Sequence, residues 1–302
     1  MPIAQVKCYA KVNLGLSVSG RRADGYHELR TVFQTIALHD RLRIEVEKGA
    51  GVEVSCNLPE LAGRSNLAAR AAEAVLKELK ARRRVRLALH KVIPISSGLG
   101  GGSSDAAAVL RALPTLLRRR LDPEQRLALA ASLGADVPFF LIGGQALGLG
   151  RGVEVYPLPD PAPRPAVLVH PGVGISTAEA YRCLDEARQG QALTTPFAGH
   201  IMFGFCAAVA LRRWDRLQND FEPVVLSAYP QLARLKGFLM RAGASPALLT
   251  GSGSVMFGLF GTAPQARLAA GMVRRRWPQF QVWVTRTVTR RQLTAEWLKN
   301  EL

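Results

Sequence analysis

The chain has no Gly-Lys dipeptide anywhere in its 302 residues, which excludes the common nucleotide loop whose lysine follows the last glycine. Its four cysteines, Cys8, Cys56, Cys183 and Cys206, form no CxxC pair and have no histidines at metal spacing. That excludes a zinc module and a disulfide framework, and predicts buried free thiols in a reducing, cytoplasmic compartment. The longest run without charge, Ala242 to Ala266, is broken by Pro246, Gly251, Gly253, Gly258 and Pro264, so it reads as soluble structure and not as a span. Lys7 and Lys11 interrupt the first apolar stretch, and no small-residue cleavage site follows it, so neither a signal peptide nor a membrane partner is expected. No internal repeat is present.

Acidic residues are also scarce, 23 against 40 Lys and Arg, for a formal charge of +17. Such a balance suits nucleic acid, an anionic surface or polyanionic small molecules. The basic clusters (Arg82 to Arg84, Arg118 to Arg120, Arg274 to Arg276) are scattered, and several close predicted helices, where cations complement the dipole and stay hydrated. No finger, RNP-like signature or aromatic-interleaved basic tract accompanies them, so nucleic acid is not the expected partner.

Apolar residues make up 48% of the chain, enough for a sizeable core, and the length predicts two domains. Alternation over residues 3 to 20 predicts a strand ending before the polar RRADG turn, and Arg41 to Glu47 predicts another. A helix is expected over 66 to 82 and a strand over Val85 to Ile93. That strand leads into PISSGLGGGSSDAAAVL, residues 94 to 110, where Ser103, Ser104 and Asp105 offer cap chemistry to a following helix that Pro114 should end or kink early. Asp122 and Pro123 start the next helix, which stops at Gly134. The proline-rich YPLPDPAPRP, residues 156 to 165, predicts the connection between domains 1–159 and 160–302. Beyond it a strand is expected at Ala166 to His170, with helices near 176 to 188, 204 to 217 and 228 to 242. A strand from Leu248 to Phe260 broken by TGSGS, a helix at 263 to 275 and a strand at Gln281 to Thr287 complete an α+β pattern.

Gly100, Gly101 and Gly102 cost more chain entropy than other residues would, so something must approach that backbone closely. A glycine turn opening a helix presents unpaired amides and the positive end of the dipole to an anion. Counted from Gly98 as the first, the sixth position is Ser103, which excludes the GxGxxG dinucleotide fingerprint, and no HRD or DFG kinase signature occurs.

PISSGLGGGSSDAA resembles the second, phosphate-binding motif of the GHMP kinases, and LTGSGS at 249 to 254 resembles their third. AKVNLGLSVSGRRADGYHELRTVFQTI, LGADVPFFL, GRG at 150 to 152, PGVGISTAEAY and NDFEPVV are similar to the branch that phosphorylates a cytidine diphosphate sugar-alcohol. The resemblance implies a two-domain α+β kinase, with an N-terminal domain like ribosomal protein S5 domain 2 and a ferredoxin-like C-terminal domain. It implies ATP with Mg²⁺, the triphosphate lying on Pro94 and on Gly98, Leu99, Gly100, Gly101, Gly102, Ser103 and Ser104, with Ser103 or Ser104 beside the metal and Asn66 near the adenine. Lys11 and Asp136 become the catalytic pair. Asn13, Tyr26, His27, Thr177, Tyr181, Gly251, Ser252 and Gly253 become substrate contacts, Tyr26 and Tyr181 flanking the base and His27 bonding its edge.

Each assignment has a plainer counterpart: a linker for the glycines, a solvated strand edge for Lys11, a helix cap for Asp136, turn residues for Tyr26 and His27. Two rivals are weighed for the whole chain, a GHMP kinase acting on homoserine, mevalonate or shikimate, and a basic RNA-binding protein on an S5-like fold. Two positions depart from the pattern: Cys8-Tyr9 stands where Ala-Pro is usual, and Pro114 falls inside the helix after the loop. Monomer and dimer both stay open.

Overall fold

The computed structural model describes residues 2–21, 25–188, 207, 208, 211, 213 and 216–300. Arg22 to Asp24 of the polar turn, Cys206 and most of the helix expected over 204 to 217 lie outside the described residues.

Two long antiparallel strands, β1 (Ile3–Arg21) and β2 (His27–Glu47), form the spine. β3 (Gly51–Cys56) runs parallel to β4 (Arg84–His90), with α1 (Leu67–Glu78) as the crossover. β5 (Gln145–Gly150) and β6 (Glu154–Pro157) complete a six-stranded sheet of order β3-β4-β2-β5-β6, with β1 on β2. In β4, Val85, Leu87 and Leu89 are buried while Arg86, Ala88 and His90 face out, the period of a half-buried strand. α1, α2 (Gly101–Leu116), α3 (Pro123–Leu133) and α4 (Val137–Ile142) cover the inner face with an alanine-rich core.

The second sheet, order β10-β7-β9-β8, is antiparallel throughout: β7 (Pro165–His170), β8 (Ala247–Leu249), β9 (Met256–Leu259) and β10 (Gln281–Arg286). Against it lie α5 (Thr177–Arg188), α6 (Glu222–Ala228), α7 (Pro230–Arg241) and α8 (Ala263–Arg276), and α9 (Arg290–Asn300) returns to β1. The expected boundary at 159/160 falls in the proline-rich connector between β6 and β7. β1 serves both halves, because Leu16 and Val18 pack in the core of α5 to α8 while Cys8 packs under α2.

Three local expectations change. β2 begins at His27 and not at Arg41, because buried Thr31, Gln34, Thr35 and Asp40 interrupt the apolar alternation that a strand facing one core would show. Ser103, Ser104 and Asp105 do not cap α2: Gly100 does, with φ of 73° and no side-chain bond, and the three residues lie inside the helix. Pro114 is buried within α2, which ends at Leu116. Cys8 is buried and free, its thiol pushed to higher pKa by burial, whereas Cys56 and Cys183 are part-exposed.

Asp105 is used deeper in the fold. Lys91 Nζ donates to Asp105 Oδ2 at 2.9 Å and to Asp40, whose other oxygen accepts the amides of Val92 and Ile93 at 2.6 and 2.8 Å. This buried triad anchors the chain entering the glycine loop. Burial, partly offset by Lys91 and reinforced by Asp40, raises the Asp105 carboxyl from 3.8 to about 7. The folded state therefore holds a proton that the unfolded chain has released between those values. Its contribution to stability is full below pH 4 and is lost as pH rises through about 7. Urea midpoints of the wild type should fall from pH 5 to pH 8 more steeply than those of Asp105→Asn. Equal slopes would place that proton elsewhere.

Candidate active site

The β8–β9 loop of the second sheet meets the glycine loop of the first over a cleft of about 1230 Å³. Its walls include Lys11, Gly98, Ser103 and Asp136, with Gly251 against Gly98, and also Tyr26, His27, Thr177, Tyr181 and Ser252. These side chains, scattered over the sequence, therefore share one space.

Lys11 and Asn13 lie two residues apart on β1 and share a face. The Lys11 ammonium is 3.3 Å from Asp136 Oδ2 and donates to Asn13 Oδ1 at 2.8 Å. The Lys11 side chain is 4% exposed and that of Asp136 is 31% exposed, so the carboxylate faces the cleft while its cation is buried behind it. Asp136 occupies the first position before α4, yet it makes no capping bond. The plain helix-cap reading of this residue thus lacks its hydrogen bond.

Asn13 is buried with its amide engaged internally, Nδ2 donating to Thr31 Oγ1 at 2.7 Å, and Thr31 donating to the Gly15 carbonyl. It supports Lys11 and also lines the cleft.

The loop before α2 is shaped by close approach. Gly98 and Gly100 have φ of 76° and 73°, the left-handed region that glycine enters without strain. A Cβ at Gly98 would run into the Thr250 carbonyl, and one at Gly100 would lie 2.8 Å from the Phe140 ring. Leu99 is buried in the core and contributes through its carbonyl, which accepts from Lys11 N at 2.9 Å. Because Gly100 caps α2 without a side chain, the first-turn amides are left for another acceptor. Ser103 reaches the cleft wall, whereas Ser104 is buried. Pro94 accepts from Ser97 Oγ at 2.7 Å and lies outside the cleft lining, as do Gly101, Gly102 and Gly253. Asn66 caps α1, Oδ1 accepting from Ala68 N at 2.8 Å and Nδ2 donating to Leu61 O at 2.9 Å. That engagement accounts for its side chain without a base.

Also on the cleft wall, His27 stacks on Tyr181, ring centroids 4.5 Å apart and planes 18° apart. His27 Nε2 is 2.7 Å from Asp185 Oδ1, and Phe221 meets Tyr181 edge-on at 4.9 Å. One Tyr181 face is thus taken by His27, and Tyr26 is 57% exposed. The Arg151 guanidinium sits 4.7 Å from the Tyr26 centroid. Burial, with Asp136 and Asp185 adding, raises the Tyr181 phenol to about 12, so it stays neutral at physiological pH. Thr177 and Ser252 share a hydroxyl contact of 3.0 Å, and Asn219 Nδ2 donates to the carbonyls of Leu249 and Gly251 at 2.8 Å each, fixing the second glycine loop.

Asp185, Arg151, Phe221, Thr31 and Thr250 were not singled out as site residues from sequence. Asp185 could have been, since it follows Tyr181 by four residues on one helix face. Phe221 and Arg151 stand in the NDF and GRG segments. Thr250 stands in the LTGSGS segment, and Thr31 carries no signal of its own.

Comparison with known proteins agrees with this geometry. The model of the GHMP kinases N terminal domain matches residues 66–144, and that of the GHMP kinases C terminal matches 206–279. A 4-diphosphocytidyl-2-C-methyl-D-erythritol kinase of Solibacter usitatus is 45% identical over 85% of this chain and 81% of its own length. One from Desulfitobacterium hafniense is 42% identical over 93% and 95%. A crystal structure of 4-(cytidine 5'-diphospho)-2C-methyl-D-erythritol kinase superposes with a TM-score of 0.78 at 38% identity, covering 94% of this chain and 98% of that one. A homoserine kinase of Cytophaga hutchinsonii, at 20% identity and a TM-score of 0.75 over 97% and 96%, shares the fold. At these identities and coverages the chain belongs to the GHMP kinases, in the 4-diphosphocytidyl-2-C-methyl-D-erythritol kinase family.

Proposed function

We propose that this chain transfers the γ-phosphoryl group of ATP to the 2-hydroxyl of 4-(cytidine 5'-diphospho)-2-C-methyl-D-erythritol, a step of the non-mevalonate isoprenoid route. The observation that carries the reading is the Lys11–Asp136 pair, 3.3 Å apart on the wall of a cleft that both glycine loops line.

Phosphoryl transfer passes through a loose transition state, so the protein mainly aligns the acceptor and neutralises charge. Asp136 accepts the hydroxyl proton and aims that oxygen. As a general base it contributes about 10² to 10⁴-fold. Lys11 pairs with the carboxylate at 3.3 Å and adds positive charge beside the transferring group. The amides at the start of α2 suit a triphosphate. Mg²⁺ favours phosphate oxygens and water over all-protein cages, and Ser103, on the cleft wall, is the hydroxyl able to stand beside it. Bound there, the ion would neutralise phosphate charge.

The amides of residues 251 to 253 would hold the substrate diphosphate as a second nest. Tyr26 stacks on the cytosine, with Arg151 behind the ring. Because one face of Tyr181 carries His27, a base reaches that side of the cleft through contact with the His27–Tyr181 pair.

The aromatic wall separates this acceptor from homoserine, mevalonate and shikimate, which have no base. ATP consumption should be fast with the cytidyl diphospho-methylerythritol and at background with those three. Turnover on homoserine alone would refute the assignment. RNA binding that weakens steeply with salt, with no kinase activity, would favour the basic nucleic-acid reading instead.

A further inference from the structure

Thr250 opens the second glycine loop, and none of its surface is exposed. Its backbone is already committed: the amide donates to Val255 O and the carbonyl accepts from Gly253 N, each at 3.0 Å. Those two bonds close the loop and leave the hydroxyl for something else. Oγ1 accepts the Asn13 amide at 3.2 Å, and its single hydrogen faces both Asn13 Oδ1 at 3.2 Å and the Gly98 carbonyl at 3.3 Å. A hydroxyl both accepts and donates, so one buried atom touches β1, the phosphate loop and the loop it belongs to.

The orientation of Asn13 follows from its neighbours. Thr31 donates its own hydrogen to Gly15 O at 2.7 Å, so toward Asn13 it can only accept, and Nδ2 must be the atom facing it. Oδ1 is then turned toward Thr250 and toward the Lys11 ammonium, 2.8 Å away. Lys11 in turn lies 3.3 Å from Asp136. Without the Thr250 hydroxyl the Asn13 oxygen loses one donor and its backbone amide loses its acceptor, both in a buried place where unmade bonds are costly.

We infer that Thr250 is a positioning residue for phosphoryl transfer, its hydroxyl holding Asn13, and through Asn13 the Lys11 ammonium, in register with Asp136 while pinning the two glycine loops together. The inference rests on the reading of Lys11 and Asp136 as the reacting pair. Thr250 touches no reacting atom, so its removal acts on alignment, where displacement of a catalytic group by about 1 Å costs on the order of 10²-fold.

The test compares Thr250→Val, which keeps the shape and removes the hydroxyl, with Thr250→Ser, which keeps it. The kcat of Thr250→Val should fall about 10²-fold with KM for ATP near the wild-type value, and Thr250→Ser should restore most of the rate. Thr250→Ala, with no branched methyl to place, serves should the valine fail to fold, and thermal melts accompany each variant. In combination with Asn13→Ala the losses should overlap, the double variant being little slower than the slower single one. A wild-type kcat in Thr250→Val, failure of the serine to rescue, or losses that multiply would overturn the inference. No phosphorylation by the wild type would overturn the proposed function instead.

Discussion

Asp136→Asn should lower kcat by about 10² to 10⁴-fold while leaving ATP affinity nearly unchanged. Asparagine keeps the size of the side chain and removes its charge and basicity. The structure separates the two roles that this residue could have. Asp136 stands at the start of α4 but makes no capping bond, so the substitution removes no helix cap and the melting temperature should stay near the wild-type value. Lys11, 3.3 Å away, would lose its carboxylate partner and keep its bond to Asn13. A variant that retains turnover within a few-fold would reduce Asp136 to a structural residue. One that melts much earlier would show that its charge holds the fold.

The parts of this site that sequence reveals are those with a local chemical reason. Gly98 to Gly102 announce a close backbone approach, and Lys11 and Asn13 announce a shared strand face. The α+β class followed from elements whose periodicity is set by a single core, such as β4. What stayed hidden depends on long-range pairing. β2 could not be followed through Thr31, Gln34, Thr35 and Asp40, because those residues are buried in polar contacts and do not alternate against water. Asp105 looks like a cap residue in the sequence and becomes a buried partner of Lys91 only when β4 and α2 are brought together. His27 looked free to bond a base edge, yet its Nε2 lies against Asp185, 158 positions away. Thr250 stands in the LTGSGS motif, but nothing local announces its hydroxyl's role, which comes from residues 237 and 152 positions distant.

The glycine run itself divides into two kinds of position, and alanine substitution should tell them apart. Gly98 is held by the protein: its φ is 76°, and a Cβ there would run into the Thr250 carbonyl. Left-handed backbone costs a non-glycine residue about 1–2 kcal/mol, and forcing a methyl into a packed contact costs about 1–3 more. Gly98→Ala should therefore destabilise the fold by about 2–5 kcal/mol, pushing the two glycine loops apart and removing most kinase activity. Gly102 is different, because it is exposed, has no positive φ, and its Cβ would meet only Leu67 at an ordinary 3.5 Å. Inside a helix alanine is favoured over glycine by about 0.8–1.0 kcal/mol, so Gly102→Ala should melt no lower than the wild type. If that position is kept bare for a triphosphate, the same variant should raise KM for ATP about tenfold, equivalent to about 1.4 kcal/mol of lost contact. An unchanged KM in Gly102→Ala would mean that the nucleotide approaches at Gly98 and Ser103 without closing on Gly102. The pair of variants separates a glycine required by the fold from one required by the ligand.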